Sequence, residues 1–147
     1  MYGDSGVIRK RTAQIREQAG DIRSLADHLV AQTEGIPWSG RAADAMRERV
    51  RDRAAHLREV AAAHDTAADS LDRHVTEVDV FKDQIAGTER KAGRLIGDAR
   101  ARVAQIQDAD GPAGVDHTPD PEDIALTEFT PPPSGHKDWL TVSLPGL

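Results

Sequence analysis

The chain of 147 residues contains no cysteine, few aromatic residues and no long apolar run. Without cysteine it can form neither disulfide bonds nor thiolate ligands for a metal. Aromatic residues make up 3% of the chain, too few for the core of an ordinary globular domain. No run of about 18 apolar residues occurs, so the sequence predicts no membrane-spanning helix. The first residues also lack the apolar segment of a cleavable secretory signal, and we expect none.

An excess of charge of one sign is missing from most of the chain. Residues 1–108 hold 18 basic and 18 acidic residues, and the net charge of −6 comes wholly from residues 109–147. A nucleic-acid-binding domain needs a basic face. The one concentration of arginines, between Arg41 and Arg58, is interleaved with acidic residues and is typical of a solvated face of ion pairs. The charge pattern therefore argues against a nucleic-acid partner.

Helical periodicity is what the sequence has in quantity, and it is interrupted by one short break, Pro37-Trp38-Ser39-Gly40. Proline ends a helix, and glycine allows a tight reversal of the chain. From about residue 5 to residue 35, a large aliphatic residue recurs every seven residues, with a small residue four positions later. This pattern predicts a first helix with one apolar seam. Its large residues are Ile8, Ile15, Ile22, Leu29 and Ile36.

The same seven-residue spacing resumes after the break and continues for more than sixty residues. A band of alanines between Ala54 and Ala68 gives this second helix another weakly apolar face. The sequence therefore predicts an all-α fold: an antiparallel helical hairpin with a long second helix and Trp38 packed across the helix ends. The large seam residues of the second helix are Val50, Leu57, Leu71, Val78 and Ile85, with His64 in the same series.

Two courses are open to the second helix after Gly87. The unbroken seven-residue register favours one rod that continues to about Asp108. Alternatively, Gly87 ends the helix and Thr88 begins a third helix that folds back over an otherwise exposed seam. We expect a kink or break near Gly87, with a third helix as the form that a break would take.

The composition changes abruptly at residue 109. Residues 109–147 are acidic and rich in proline and glycine, which predicts a disordered tail distinct from a helical domain of residues 1–108. Two short apolar pieces interrupt this tail, and they either dock on a partner or fold back onto the seam. The docking candidates are Ile124, Leu126, Phe129, Trp139 and Leu140.

Neither a catalytic nor a metal-binding constellation is found in the sequence. His64 and His74 are ten residues apart, whereas zinc-binding pairs on a helix are three or four apart. Asp65, Asp69 and Asp72 share a helical face that is more typical of solvated ion pairs than of a cation site. We therefore predict a chain that is not an enzyme and that uses no cofactor or metal. A marginal two-helix hairpin instead needs a protein partner to complete a four-helix bundle, and we predict the large seam residues of both helices as the partner interface.

The turn Trp38-Ser39-Gly40 between two heptad helices resembles the WXG family of helical-hairpin proteins, over about residues 5–85. The resemblance implies export by, or association with, type VII secretion in actinobacteria and other Gram-positive bacteria. It implies a homodimeric or heterodimeric four-helix bundle without catalysis, with Trp38 and Gly40 as turn residues. The family's Tyr-Xaa-Xaa-Xaa-Asp/Glu export signal is missing, because Val75-Thr76-Glu77-Val78-Asp79 keeps the spacing without the aromatic residue. Export would then rest on a partner that carries the signal, or would not occur.

Two functional hypotheses follow from the sequence. The first is a type VII-associated protein that dimerises or escorts an effector; it would be cytoplasmic and leave the cell without a signal peptide. The second is a cytosolic coiled-coil adaptor, unrelated to secretion, whose acidic tail docks on a basic partner. Export and the role of the tail distinguish the two.

Overall fold

The computed structural model describes residues 4–109 and 118–147, which form helices joined by turns, with no strand among them. In chain order, the helices are α1 (Ser5–Glu34), α2 (Arg41–Ala109), α3 (Pro121–Glu128) and a 3-10 helix at Lys137–Thr141. The prediction of an all-α fold with a long second helix is confirmed, since α2 has 69 residues and α1 has 30.

The chain divides into two compact units. The hairpin unit ends at Val78 and contains α1 and the first part of α2. The tail unit, Asp79–Leu147, contains the rest of α2, α3 and the 3-10 helix. Residues predicted to belong to a separate tail therefore share a unit with the second part of α2, and residues 110–117 of that prediction lie outside the described residues.

Local chemistry sets the ends of the first two helices. The carboxylate of Asp4 accepts a hydrogen bond from the Gly6 N–H at 2.8 Å and caps α1. At the other end, the Gly35 N–H donates to the Ala31 carbonyl at 3.1 Å. Gly40 has φ 104°, a conformation that glycine adopts without strain, and its carbonyl accepts from the Asp44 N–H at the start of α2.

Small side chains form the contact between α1 and the first part of α2. On α1 the buried residues are Thr12, Ala19 and Ala26, and on α2 they include Ala54, Ala61, Ala68 and Val75. Both series recur every seven residues, and we call them together the alanine seam. Val75 and Thr12 are the largest fully buried side chains in the described chain. The core of the hairpin unit is therefore thin.

The break predicted near Gly87 is wrong. Helix α2 runs without interruption from Arg41 to Ala109, so residues 88–108 continue it and do not form a third helix that folds back. The unbroken register was the better guide, because a single glycine costs a helix only about 1 kcal/mol relative to alanine. Residues of the tail cover the apolar surface of this part of α2.

The tail covers the second part of α2, contrary to the predicted disorder. Trp139 packs against Ile85 and Ala92, and Leu126 packs against Ile96 and Ala99. Val142, Leu144 and Phe129 add partly buried apolar surface around these two clusters. For residues 118–147 the fold-back alternative is therefore the correct one, because the tail carries the large side chains that α2 needs to bury its seam.

The alanine seam predicts a strong dependence on side-chain size. Replacing Ala61 with leucine should destabilise the hairpin unit by about 1–3 kcal/mol, because the added atoms would force the helices apart. The matched control is Ala62→Leu, since Ala62 is exposed on the same helix and should change stability by less than about 0.5 kcal/mol. Urea denaturation followed by circular dichroism measures both, and equal effects would contradict the seam.

Candidate partner-binding face

The large aliphatic residues of the hairpin unit lie beside the alanine seam and not within it. Between residues 8 and 29 and between residues 50 and 78, all the predicted large seam residues are half-buried. The residues of the alanine seam beside them are at most 1% exposed. The predicted seam of the hairpin unit therefore separates into a buried row of small residues and a half-buried row of large ones. They are Ile8, Ile15, Ile22 and Leu29 on α1, and Val50, Leu57, Leu71 and Val78 on α2, with His64 in the same row.

Helix geometry places both rows on one side of the hairpin unit. On each helix the large residue follows a seam residue by three positions, as Ile15 follows Thr12 and Leu57 follows Ala54. At 3.6 residues per turn, this step is a rotation of about 60° in the same sense on both helices. Because α1 and α2 run antiparallel, rotations of the same sense point to the same side of the plane through their axes. We call this side the aliphatic face.

The opposite side carries ion pairs between the two helices. Arg16 lies 2.8 Å from Asp69 and 2.7 Å from Asp72, and Arg58 lies 2.6 Å from Asp27. Two further pairs join Arg23 with Asp65 and Arg51 with Glu34. The numbers fall along α2 as they rise along α1, so the helices are antiparallel. Most of these residues follow a seam residue by one or four positions, which defines an ionic face.

The three carboxylates predicted to share a helical face have partners on the other helix. Asp65, Asp69 and Asp72 pair with Arg23 and Arg16 of α1, whereas Arg73 donates to the Ser70 hydroxyl. The hydrogen bonds to Asp69 and Asp72 hold the pKa of Arg16 above its ordinary value. Within the described residues, no three His, Cys, Asp or Glu side chains are grouped to hold a metal ion.

His64 is the one ionisable residue in the two rows of the aliphatic face. It is half-buried, and its Nδ1 lies 2.9 Å from the carbonyl oxygen of Val60 on the preceding turn. His74, which the sequence places near the same seam, is exposed. The imidazole of His64 thus interrupts an aliphatic row at its middle.

The turn motif is held by one arginine. Arg47 donates to the carbonyls of Ile36 and Trp38 at 3.2 and 2.5 Å. Trp38 remains 50% exposed, and Ile36 and Met46 beside it are similarly exposed. The predicted packing of the indole across both helix ends is therefore only partial, and this end of the hairpin unit keeps accessible apolar surface.

The tail docking candidates divide into two groups. Leu126 and Trp139 are buried within the tail unit, and Phe129 is half-buried there. Ile124 and Leu140 point outward, with 37% and 42% of their surface exposed. Ile85, predicted as a partner-facing seam residue, is 2% exposed beneath Trp139. Three of the five candidates are thus engaged inside the chain.

Polar contacts hold the tail on α2. Arg102 donates to both carboxylate oxygens of Asp123, at 2.9 and 2.6 Å. The Gly135 N–H donates to Glu89 of α2 at 3.1 Å. Within the tail itself, the Trp139 indole N–H donates to the Pro133 carbonyl at 3.0 Å. These bonds give the tail a defined position as well as apolar burial.

Sequence reasoning missed the ion pairs of the ionic face and misjudged which positions of α2 touch α1. The signal is present in the repeat, because arginine or aspartate follows each of the small residues Thr12, Ala19, Ala54, Ala61 and Ala68 by four positions. A search for charges at fixed offsets from small residues would have separated the two faces.

Among residues 4–109 and 118–147, no helix combines the length and apolar character needed to cross a bilayer. Comparisons with protein-family models, curated proteins and solved structures found no match. Functional inference for this chain therefore depends on its own geometry.

Removing the indole of Trp139 should release the end of the tail. Trp139→Ala should cost about 3–5 kcal/mol of tail docking, because loss of this buried aromatic ring leaves a cavity over Ile85 and Ala92. Trypsin cleavage after Lys137 measures the release, and its rate should rise by an order of magnitude or more. Leu140→Ala is the control because Leu140 is exposed. Equal cleavage rates in the two variants would contradict the docking.

The contact between Arg102 and Asp123 should make docking of α3 sensitive to acid. The hydrogen bonds from Arg102 hold the pKa of Asp123 below its ordinary value of 3.8. Asp123 therefore stabilises the docked state fully above that ordinary value, and this contribution is lost as the pH falls through the lowered pKa. Hydrogen exchange of α3 measured from pH 6 to pH 2.5 should show the loss. Asp123→Asn should remove it, whereas an unchanged pH profile in that variant would argue against the contact.

Proposed function

We propose that this chain is a non-enzymatic helical-hairpin protein that acts by binding a second helical hairpin through its aliphatic face. The product is a four-helix bundle, formed with another copy of the chain or with a related partner or effector. We further propose, on the resemblance of the Trp38-Ser39-Gly40 turn to the WXG family, that the chain works in type VII secretion as a substrate or escort.

The observation that carries the proposal is the segregation of two faces on the hairpin unit. Half-buried aliphatic side chains line one side, and interhelical ion pairs line the other. An aliphatic face of this kind gains stability when a second pair of helices covers it, at roughly 25 cal/mol per Å² of apolar surface. The thin alanine seam supplies little burial of its own, which favours association.

The structure bears on the missing export signal. In Val75-Thr76-Glu77-Val78-Asp79, the position that would hold tyrosine is Val75, which is 1% exposed within the alanine seam. An aromatic ring would not fit between closely packed helices there. Export of this chain would therefore depend on a signal carried by another protein in the complex.

The adaptor hypothesis makes a different use of the tail. It needs the acidic tail to be accessible to a basic partner, but Leu126 and Trp139 are buried in the tail unit and Asp123 is paired with Arg102. These contacts favour the aliphatic face over the tail as the main partner surface.

Introducing negative charge on one face or the other of the hairpin unit tests the proposal. The double variant Ile22→Glu with Leu57→Glu should weaken association by roughly a hundredfold or more, because two carboxylates would be buried among aliphatic side chains. The matched control, Ala13→Glu with Ala62→Glu, adds the same charges at exposed positions on the ionic side. Sedimentation velocity over a concentration series measures association, with circular dichroism to verify folding. Identical association of the two double variants, or a wild-type chain that pairs with neither itself nor another hairpin protein, would overturn the proposal.

The secretion half of the proposal needs a separate experiment. In the source bacterium, the chain should reach the culture filtrate while the type VII secretion ATPase is intact and should remain in the cells when that ATPase is deleted. A cytosolic control protein monitors lysis. Retention of the chain in the cells in both strains would favour the adaptor hypothesis.

A further inference from the structure

We infer that the occupant of the aliphatic face is a second copy of this chain, with the two α2 rows antiparallel and His64 paired with His64 of the other copy. This inference rests on the proposed function and adds to it the identity of the partner and the register. It follows from the order of residues on the face, the position of the imidazole and the size of the face.

The α2 row of the aliphatic face reads the same in both directions. From its first to its last member, it consists of Val50, Leu57, His64, Leu71 and Val78. When two copies are placed antiparallel about His64, valine meets valine and leucine meets leucine at every level. A face that is complementary to itself in this way suits the twofold symmetry that most homodimers have.

The imidazole makes that register preferable to its neighbours. The Nδ1 atom of His64 lies 2.9 Å from the Val60 carbonyl oxygen, which can only accept, so in the neutral ring Nδ1 carries the proton and Nε2 is an acceptor. A water molecule that donates to both Nε2 atoms would bridge the two copies in this register. A shift by one heptad would set the imidazole against leucine, and pairing α2 with α1 of the other copy would set it against Ile22. Only the centred register gives each imidazole a polar neighbour, and a single polar residue in an apolar seam commonly fixes register.

Charged groups near His64 do not compete for this position. At its level on α1, the aliphatic side presents Ile22, Leu25 and Gln18. Arg23 follows Ile22 in the sequence, and Asp65 follows His64. These two charged residues are paired with each other on the ionic face. The imidazole is therefore free of an ion-pair partner on the face that the second copy would cover.

The face is large enough for a stable dimer. The α2 row from Val50 to Val78 spans about 42 Å at 1.5 Å per residue, and two packed helices are about 20 Å wide. The footprint is therefore about 800 Å² on each copy, or about 1,600 Å² in total, which is the standard size of a specific protein–protein interface.

The absence of cysteine makes the register directly testable by disulfide cross-linking. His64→Cys should form a covalent dimer on mild oxidation, because the two residues would be opposite each other. Leu57→Cys alone should not, since its counterparts would be about 21 Å apart along the helices. An equimolar mixture of Leu57→Cys and Leu71→Cys should cross-link only between the two variants. Ala62→Cys, which is exposed on the other side, is the control for random collision.

Non-reducing electrophoresis and mass spectrometry of one isotope-labelled variant give the readout, with at least a tenfold excess of His64→Cys dimer over Leu57→Cys dimer expected. Two outcomes would overturn this register and leave the proposed function standing, provided that sedimentation shows a dimer. In the first, Leu57→Cys cross-links as well as His64→Cys. In the second, His64→Cys links only to Ile22→Cys. A chain that stays monomeric alone but binds a different helical hairpin overturns self-pairing alone. A chain that binds neither overturns both.

Discussion

The hairpin unit depends on the close contact between α1 and α2 through small side chains. A seam of alanine and threonine leaves no room for leucine or isoleucine between the helices, so those side chains are displaced to one side. The ion pairs occupy the other side, where long arginine side chains can reach across from one helix to the other. One packing constraint thus produces a two-faced hairpin unit, and the aliphatic face is its consequence.

The tail unit buries the apolar surface of α2 in another way. There the large side chains come from residues 118–147, with Trp139 and Leu126 seated over isoleucine and alanine positions of the helix. Arg102 and Glu89 add directional bonds to Asp123 and Gly135. A proline-rich segment can be ordered in this manner because it needs no internal core when a long helix supplies one wall of the cluster.

The hairpin unit and the tail unit bury apolar side chains in different ways, and the difference has functional consequences. In the tail unit, the large apolar side chains Ile85, Leu126 and Trp139 are satisfied within the chain. In the hairpin unit, the comparable side chains keep accessible surface on one face. The association proposed above would cover that accessible surface. The half-exposed Trp38 at the turn offers further apolar surface to the same or another protein.

The amino-acid sequence by itself determined that the chain is helical, where α1 ends and α2 begins, and which residues recur every seven positions. Those features follow from local chemistry: Asp4 caps a helix, Pro37 and Gly40 interrupt one, and apolar spacing sets a helical period. Only the tertiary structure decided that Ala54, Ala61 and Ala68 face α1 while Leu57 and Leu71 lie beside them. These two stripes are only about 60° apart on the helix, so periodicity alone cannot distinguish them. The ordered structure of residues 118–147 was likewise decided by tertiary contacts. Their content of proline and charge predicted disorder, whereas the burial of Trp139 depends on the surface of α2 against which it packs.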